Sequence, residues 1–292
     1  MLKEGADGFC MALADSVPGV SGGTVAFIMG FYDSFIGSID RLIFGKAEEK
    51  KTAFLYLIKL GIGWVIGMAL ATLVLTSLFR DHIYLVSSLF FGFVAGSIPL
   101  ILREEKENFR KVKKGILFFV LGLLLVVAVT AANKAAIGAG FDLGHLTAGS
   151  GLCLFLVGMI AICAMFLPGI SGSTLLLIFG AYLPVLTAIR GIIGLQISYL
   201  PGLLIFSAGI AAGGATVVRG IRICLDRFRP QMLYLILGMM IGSFYAIVMG
   251  PTTLEIPQEA MTLSHFEILP AIAGVLVVLC MQMIKQVKKN SQ

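Results

Sequence analysis

Six stretches of this chain stay apolar long enough to cross about 30 Å of hydrocarbon as helices: 54–79, 84–102, 115–132, 199–218, 231–250 and 267–284. A chain so interrupted has few folds open to it, because backbone polar groups in lipid must be satisfied within helices or closed barrels. Of its 292 residues 58% are apolar and only 13% are charged, against about 25% charged in a soluble domain. The polar surface is too small to cover a water-exposed globule, so the expected class is an all-α polytopic membrane protein. Its 35 glycines suit closely packed and broken membrane helices.

The net charge of +6 falls between the apolar runs, which points to membrane orientation rather than to nucleic acid. Basic residues crowd the 41–52 connection (Arg41, Lys46, Lys50, Lys51), the 103–114 connection, the 219–230 connection and the tail. The alternate connections are poor in them: 80–83 has Arg80 beside Asp81, 132–150 has Lys134, 190–198 has Arg190, and 251–266 has neither Lys nor Arg. The positive-inside rule then puts the basic set and both termini in the cytoplasm. Met1 to Leu13 holds too short an apolar stretch for a secretory signal and lacks a cleavage site, so the mature chain is expected to start near Met1.

Two further segments resemble each other. Val17 to Tyr32 aligns without gaps to Leu167 to Tyr182, Pro168 following Pro18 by 150 residues, and eight of sixteen positions are identical. At a spacing of 146, Gly63 and Gly67 match Gly209 and Gly213, while Gly92, Gly96 and Ser97 match Gly238, Gly242 and Ser243. The chain therefore reads as two copies of one unit, 1–135 and 150–292. Pro18, Gly19, Gly22 and Gly23 break any helix from Phe9 to Ser38. The arm from Phe9 to Val17 is about 13 Å long, so it dips into the bilayer and returns. Each unit is expected to hold a re-entrant hairpin, 9–38 or 151–189, and three transmembrane helices. The arm from Gly151 to Phe166 is longer, and two short tilted crossings would give the same parity. With three spans between the hairpins, the repeats have inverted topology, as in carriers whose broken helices meet at the midplane.

Ser21-Gly22-Gly23-Thr24 and Ser171-Gly172-Ser173-Thr174 each open a half-helix. Unpaired amides, a helix dipole and hydroxyl donors there suit a phosphate. No catalytic or metal cluster is expected from three scattered histidines and five cysteines without a CxxC pair, and no cofactor is implied.

With Ala14 to Thr24, Gly30-Phe31-Tyr32 and the second PGISGS copy in view, the chain resembles the PopT-type family over essentially its whole length. That family comprises bacterial and archaeal membrane proteins, formerly a domain of unknown function. They are now read as translocases for undecaprenyl phosphate, the lipid carrier of cell-wall precursors. The resemblance implies a cytoplasmic-membrane protein that returns this polyprenyl phosphate from the outer to the cytoplasmic leaflet. The motif is also similar to the Pro-Gly-x-Ser-Arg-Ser loop of undecaprenyl-diphosphate phosphatases. Here Gly22 and Gly172 stand in place of its arginine and no Glu-rich helix accompanies it, which implies binding without hydrolysis. A lipid-diphosphate phosphatase and a small-anion transporter are the rival readings.

Asp15, whose counterpart is Met165, either couples transport to protons or accepts backbone hydrogen bonds before the turn. Lys59, about 10 Å inside the first span, either meets the phosphate or snorkels. Arg80, Lys134 and Arg190 outside, and Arg219 and Arg222 inside, draw in an anionic headgroup or simply set topology. Asp33 and Asp40 are expected to be solvated at the cytoplasmic interface.

Overall fold

The computed structural model describes residues 2–15, 21–110, 115–134, 141–144, 146–169, 172–253 and 258–290. Within these, side chains are described except at 2, 72–81, 104, 133–134, 173, 174, 177, 183, 186, 190, 193, 253 and 281–290. Among the described residues the fold is helical, without strands. The helices are α1 (Leu2–Asp15), α2 (Gly22–Ile28), α3 (Tyr32–Phe44), α4 (Ala47–Glu104), α5 (Lys106–Arg110) and α6 (Gly115–Lys134), then α7 (Ala148–Phe166), α8 (Gly172–Ile178), α9 (Tyr182–Ile193), α10 (Leu200–Arg227), α11 (Arg229–Met249) and α12 (Ile268–Asn290).

Among the described residues six helical segments are long and apolar enough to span a bilayer: Ala47–Ala71, His82–Arg103, Gly115–Ala132, Ala148–Phe166, Ile197–Arg227 and Arg229–Thr252. This is a multi-pass membrane protein. Five of the six correspond to expected spans. The sixth, α7, is the arm expected to belong to a hairpin; its 19 residues reach about 28 Å. Over the span expected at 267–284 lies α12, 23 residues from Ile268 to Asn290, whose described side chains are apolar through Cys280. The first two spans form one continuous element, α4, broken in backbone geometry at His82 (φ −139°, ψ 41°).

The duplicated motif builds the same local structure twice. The seven-residue helices α2 and α8 each stop at a glycine in the left-handed region, Gly30 (φ 76°) and Gly180 (φ 65°). The next amide reaches back five residues, Phe31 N–H to Ala26 O at 3.0 Å and Ala181 N–H to Leu176 O at 2.8 Å. This is the Schellman closure, and a side chain at the glycine would be strained. Each short helix is then followed at once by a longer one beginning with the repeated tyrosine.

Glycines fix how the long helices pair, and the contacts recur at matching positions. A Cβ on Gly8 would fall 1.9 Å from Leu60 O, and one on Gly158 would fall 2.7 Å from Phe206 O. Gly63 abuts Gly5 and Gly209 abuts Phe155 in the same manner. So α1 lies on the first part of α4 as α7 lies on α10, backbone against backbone. A second set crosses the chain. Gly92 meets Ala271 O and Gly238 meets Phe119 O, each at 1.9 Å from a hypothetical Cβ. Gly122 likewise meets Leu235 and Gly274 meets Leu89. The second part of α4 therefore packs on α12, and α11 packs on α6.

The deepest core draws on α3 and α11, with Tyr32, Ile36, Ile236, Met239, Met240 and Ile247 fully enclosed in one apolar cluster. Large apolar side chains on α4, α6 and α10, including Ile62, Val65, Leu124 and Leu204, are exposed, as a lipid-facing perimeter requires.

Candidate functional site

The two copies of the motif are in direct contact. Thr24 Oγ1 accepts the Gly169 N–H at 2.7 Å, and Tyr32 OH donates to Phe166 O at 2.7 Å. Ser21 Oγ donates to Leu167 O at 3.4 Å. Three buried side chains of the first copy thus hold backbone 166–169 of the second. Gly169 has φ 86°, and a Cβ there would lie 2.7 Å from Met239 O, so the second turn is wedged between Thr24 and α11.

The start of α2 differs from the expectation of unpaired amides. Gly22 N–H donates to Asp15 Oδ1 at 2.6 Å, Gly23 N–H to the capping Ser21 Oγ at 3.2 Å, and Thr24 N–H to Ser21 O at 2.9 Å. A short side-chain acceptor before the helix satisfies its first donors, and here a carboxylate from the preceding helix adds to it. Asp15 closes α1, and its Oδ2 accepts the indole N–H of Trp64 at 2.9 Å. At the equivalent place in the other copy, the Met165 side chain lies against Gly172, at 3.4 Å from a hypothetical Cβ, and brings no charge.

Trp64 is a residue that the sequence reading missed. It is the single tryptophan of the chain, and it lies deep in an apolar span. Tryptophans favour the membrane interface, so that depth was the available signal.

Asp15 and Trp64 close one end of a groove of about 740 Å³ lined by α1, α3, α4 and α7, among them Met11, Phe35, Leu57, Gly61, Met165 and Phe166. Asp15 is the one charged residue in that lining. The outer wall is formed by Phe54, Ile58, Ile62, Val65 and Ile66, all on the exposed surface, so the groove opens sideways toward lipid.

A second, polar cavity of about 210 Å³ is lined by Phe27, Gly30, Tyr32, Asp33, Ile101, Glu105 and Arg229. Arg229 bridges Asp33 at 2.8 Å and Glu105 at 2.7 Å, tying the start of α11 to α3 and to the end of α4. Arg222 pairs with Asp40 and, at 3.8 Å, with Asp226. Asp33 and Asp40, expected to be merely solvated, are thus engaged in ion pairs. Their partners are 196 and 182 residues away, beyond the reach of local pattern. Arg219 stacks over the Phe44 ring at 4.6 Å.

Of the other expected site residues, Gly22, Gly23 and Gly172 open α2 and α8. Ser171 lies outside the described residues, as do the side chains of Ser173, Thr174, Arg80, Lys134 and Arg190. Lys59 is not among the groove-lining residues; its backbone lies beside Gly5, near the start of α1. Among the described residues no cluster of His, Cys, Asp and Glu is placed to hold a metal ion, and Cys10, Cys153, Cys163, Cys224 and Cys280 are free thiols.

Comparison with known proteins adds two findings. Residues 11–265 match the model of a family described as undecaprenyl phosphate translocase-like. The chain is 32% identical over 279 residues to a polyprenyl-phosphate transporter of Vibrio cholerae, covering 89% of this chain and 84% of that one. It is also 32% identical over 248 residues to a polyprenyl-phosphate transporter of Staphylococcus aureus, covering 84% and 86%. No solved structure matches this fold significantly.

Proposed function

The chain belongs to the undecaprenyl phosphate translocase-like family, and on that premise we propose that it carries a polyprenyl phosphate across the membrane. The phosphate is held where the two PGxSG motifs meet, and the prenyl tail stays outside in lipid. The observation that carries this reading is the groove. It is apolar, it opens sideways, and its charged end at Asp15 touches Gly22 of the first motif. A carrier for a small soluble anion has no use for such an opening, which favours a lipid over that rival. The absence of an arginine at Gly22 and Gly172 favours binding over cleavage, against the phosphatase reading.

In this reading Ser21, Gly22, Gly23 and Thr24 on one side, and Ser171, Gly172, Ser173 and Thr174 on the other, contribute hydroxyls and amides to the headgroup, the Gly22 and Gly23 amides exchanging their bonds to Asp15 and Ser21 for the phosphate. The Asp15 carboxylate already holds the Gly22 amide, so an arriving phosphate meets an anion. Protonation of Asp15 removes the like-charge repulsion and turns an acceptor into a donor. That step couples headgroup entry to proton uptake. The two repeats, 1–135 and 150–292, lie inverted in the bilayer with their re-entrant hairpins entering from opposite sides. Rocking of one against the other exposes the headgroup first to the outer and then to the cytoplasmic leaflet.

The test is leaflet-resolved transport of polyprenyl phosphate in proteoliposomes. Acceleration over protein-free vesicles, abolished by Ser21→Ala together with Thr24→Val, is the expected result. Equal rates with and without protein would overturn the proposal. Cysteines placed at 21 and 171 are expected to react with impermeant reagents from opposite sides.

A further inference from the structure

We infer that the sideways groove is a seat for the phosphate-proximal part of the isoprenoid chain, with Trp64 at the boundary between headgroup and tail. The inference rests on the transport reading above and adds a tail subsite with a limit on chain length.

The groove reaches the headgroup region from both copies of the motif: at Asp15 and Trp64 on the first, and at Met165, which lies against Gly172, on the second. Asp15 lines it and bonds Gly22 of the first motif, while Trp64 lines it and donates to Asp15. From there it runs along α4 from Ile66 back to Phe54, a helical rise of about 18 Å. An occupant with its phosphate at the motif junction can lay its chain along this track, past Trp64. Its walls carry no other charge, so the occupant is hydrocarbon.

Volume sets how much of the chain is recognised. Hydrocarbon packed at protein density takes roughly 25 Å³ per carbon, somewhat less than the share of a water molecule. A groove of 740 Å³ then holds about 30 carbons, or about six isoprene units. Units beyond that lie in the bilayer and contribute little to recognition. The protein should discriminate short from medium isoprenoid phosphates and be nearly blind to length thereafter.

Gly61 offers a clean way to fill the seat. It lines the groove, and a Cβ added there meets nothing within 4 Å, so a larger side chain enters the groove without disturbing backbone. Ile62, exposed on the outer wall, gives a second position.

Because Trp64 is the only tryptophan, the fluorescence of the full chain in nanodiscs reports on this boundary. The probes are isoprenyl monophosphates of two, six and eleven units, the eleven-unit polyprenol, and phosphatidylglycerol. Affinity, expressed per mole fraction of probe in the nanodisc lipid, is expected to rise at least about tenfold from two to six units through packing against the groove walls. It should then change less than about twofold from six to eleven, since added units remain in lipid on both sides of the equilibrium. Gly61→Phe should erase the rise from two to six units, and Ile62→Phe should do the same if Gly61→Phe fails to fold. A flat length profile in the wild type overturns the seat, as does an unchanged profile in the filled variants. An equal saturable response to phosphatidylglycerol also overturns it, since ordinary lipid then occupies the groove. Failure here is separable from failure of the transport reading: a flat profile with intact transport removes only the tail seat, whereas absent transport of any polyprenyl phosphate removes the function itself.

Discussion

The Thr24 hydroxyl accepts the amide of Gly169 at 2.7 Å, joining two copies of one sequence motif across 145 residues of chain. Both groups are buried, so neither has water as an alternative partner. Thr24→Val keeps the shape and removes the acceptor. The expected loss is about 1–3 kcal/mol of stability, the cost of an unsatisfied buried donor. Thr24→Ser, which retains the hydroxyl, should restore most of it. Thermal unfolding of the three proteins in one detergent checks the order.

Gly169→Ala should be at least as damaging. The backbone there is left-handed at φ 86°, and the added carbon would sit 2.7 Å from Met239 O. Strain and overpacking each cost about 1–3 kcal/mol. An alanine variant as stable as wild type by the same unfolding assay would show that the turn is looser than this geometry.

The glycine contacts predict paired effects. Gly92→Val should push α4 from Ala271, and Gly238→Val should push α11 from Phe119, because each added Cβ would lie 1.9 Å from a backbone oxygen. Each is expected to destabilise by at least about 1–3 kcal/mol, and by similar amounts. Gly61→Val, into open space, should cost little by comparison. Denaturant-induced loss of helicity in micelles ranks the three.

The Arg229 bridge should be worth little in stability and more in gating. Its side chains are partly exposed, Arg229 at 36% and Asp33 at 53%. Pairs of that kind contribute about 0.2–1 kcal/mol. A double-mutant cycle with Arg229→Gln and Asp33→Asn should therefore give a coupling of that size, shrinking as salt rises. Loosening α3 from α11 is expected to change transport rate more than folding, which rate measurements in the same four proteins decide.

Asp15→Asn separates the two roles that the sequence leaves open for this residue. The amide retains an acceptor oxygen for the Gly22 or Trp64 N–H but cannot take up a proton near neutral pH. Transport should persist at reduced rate and lose its response to an imposed pH gradient. An unchanged response would remove Asp15 from any coupling role.

Much of this organisation was legible because it is written locally. Proline and glycine spacing announced the broken helices, and repetition at 146 residues paired Gly63 with Gly209, which make matching contacts. The likeness of Gly8 and Gly158, by contrast, lies outside the aligned motif and emerged only in the structure. What stayed hidden depends on distant partners. Asp33 and Asp40 look like ordinary interface carboxylates until Arg229 and Arg222 arrive from the other end of the chain. The groove is assembled from four helices, so no single segment carries its pattern. Asp15 stood out by its place before the turn, but its hold on Trp64 required knowing which face of α4 meets α1.

The pairing of α6 with α11, and of the second part of α4 with α12, has a consequence for how the protein is made. The grooves at Gly92 and Gly122 are complete when the ribosome has reached residue 134, yet the backbones that fill them, around Ala271 and Leu235, are still unsynthesised. A nascent chain halted there would sit in the membrane with two unsealed seams. Its maturation therefore depends on late-arriving helices, and the last of them closes a joint opened near the beginning.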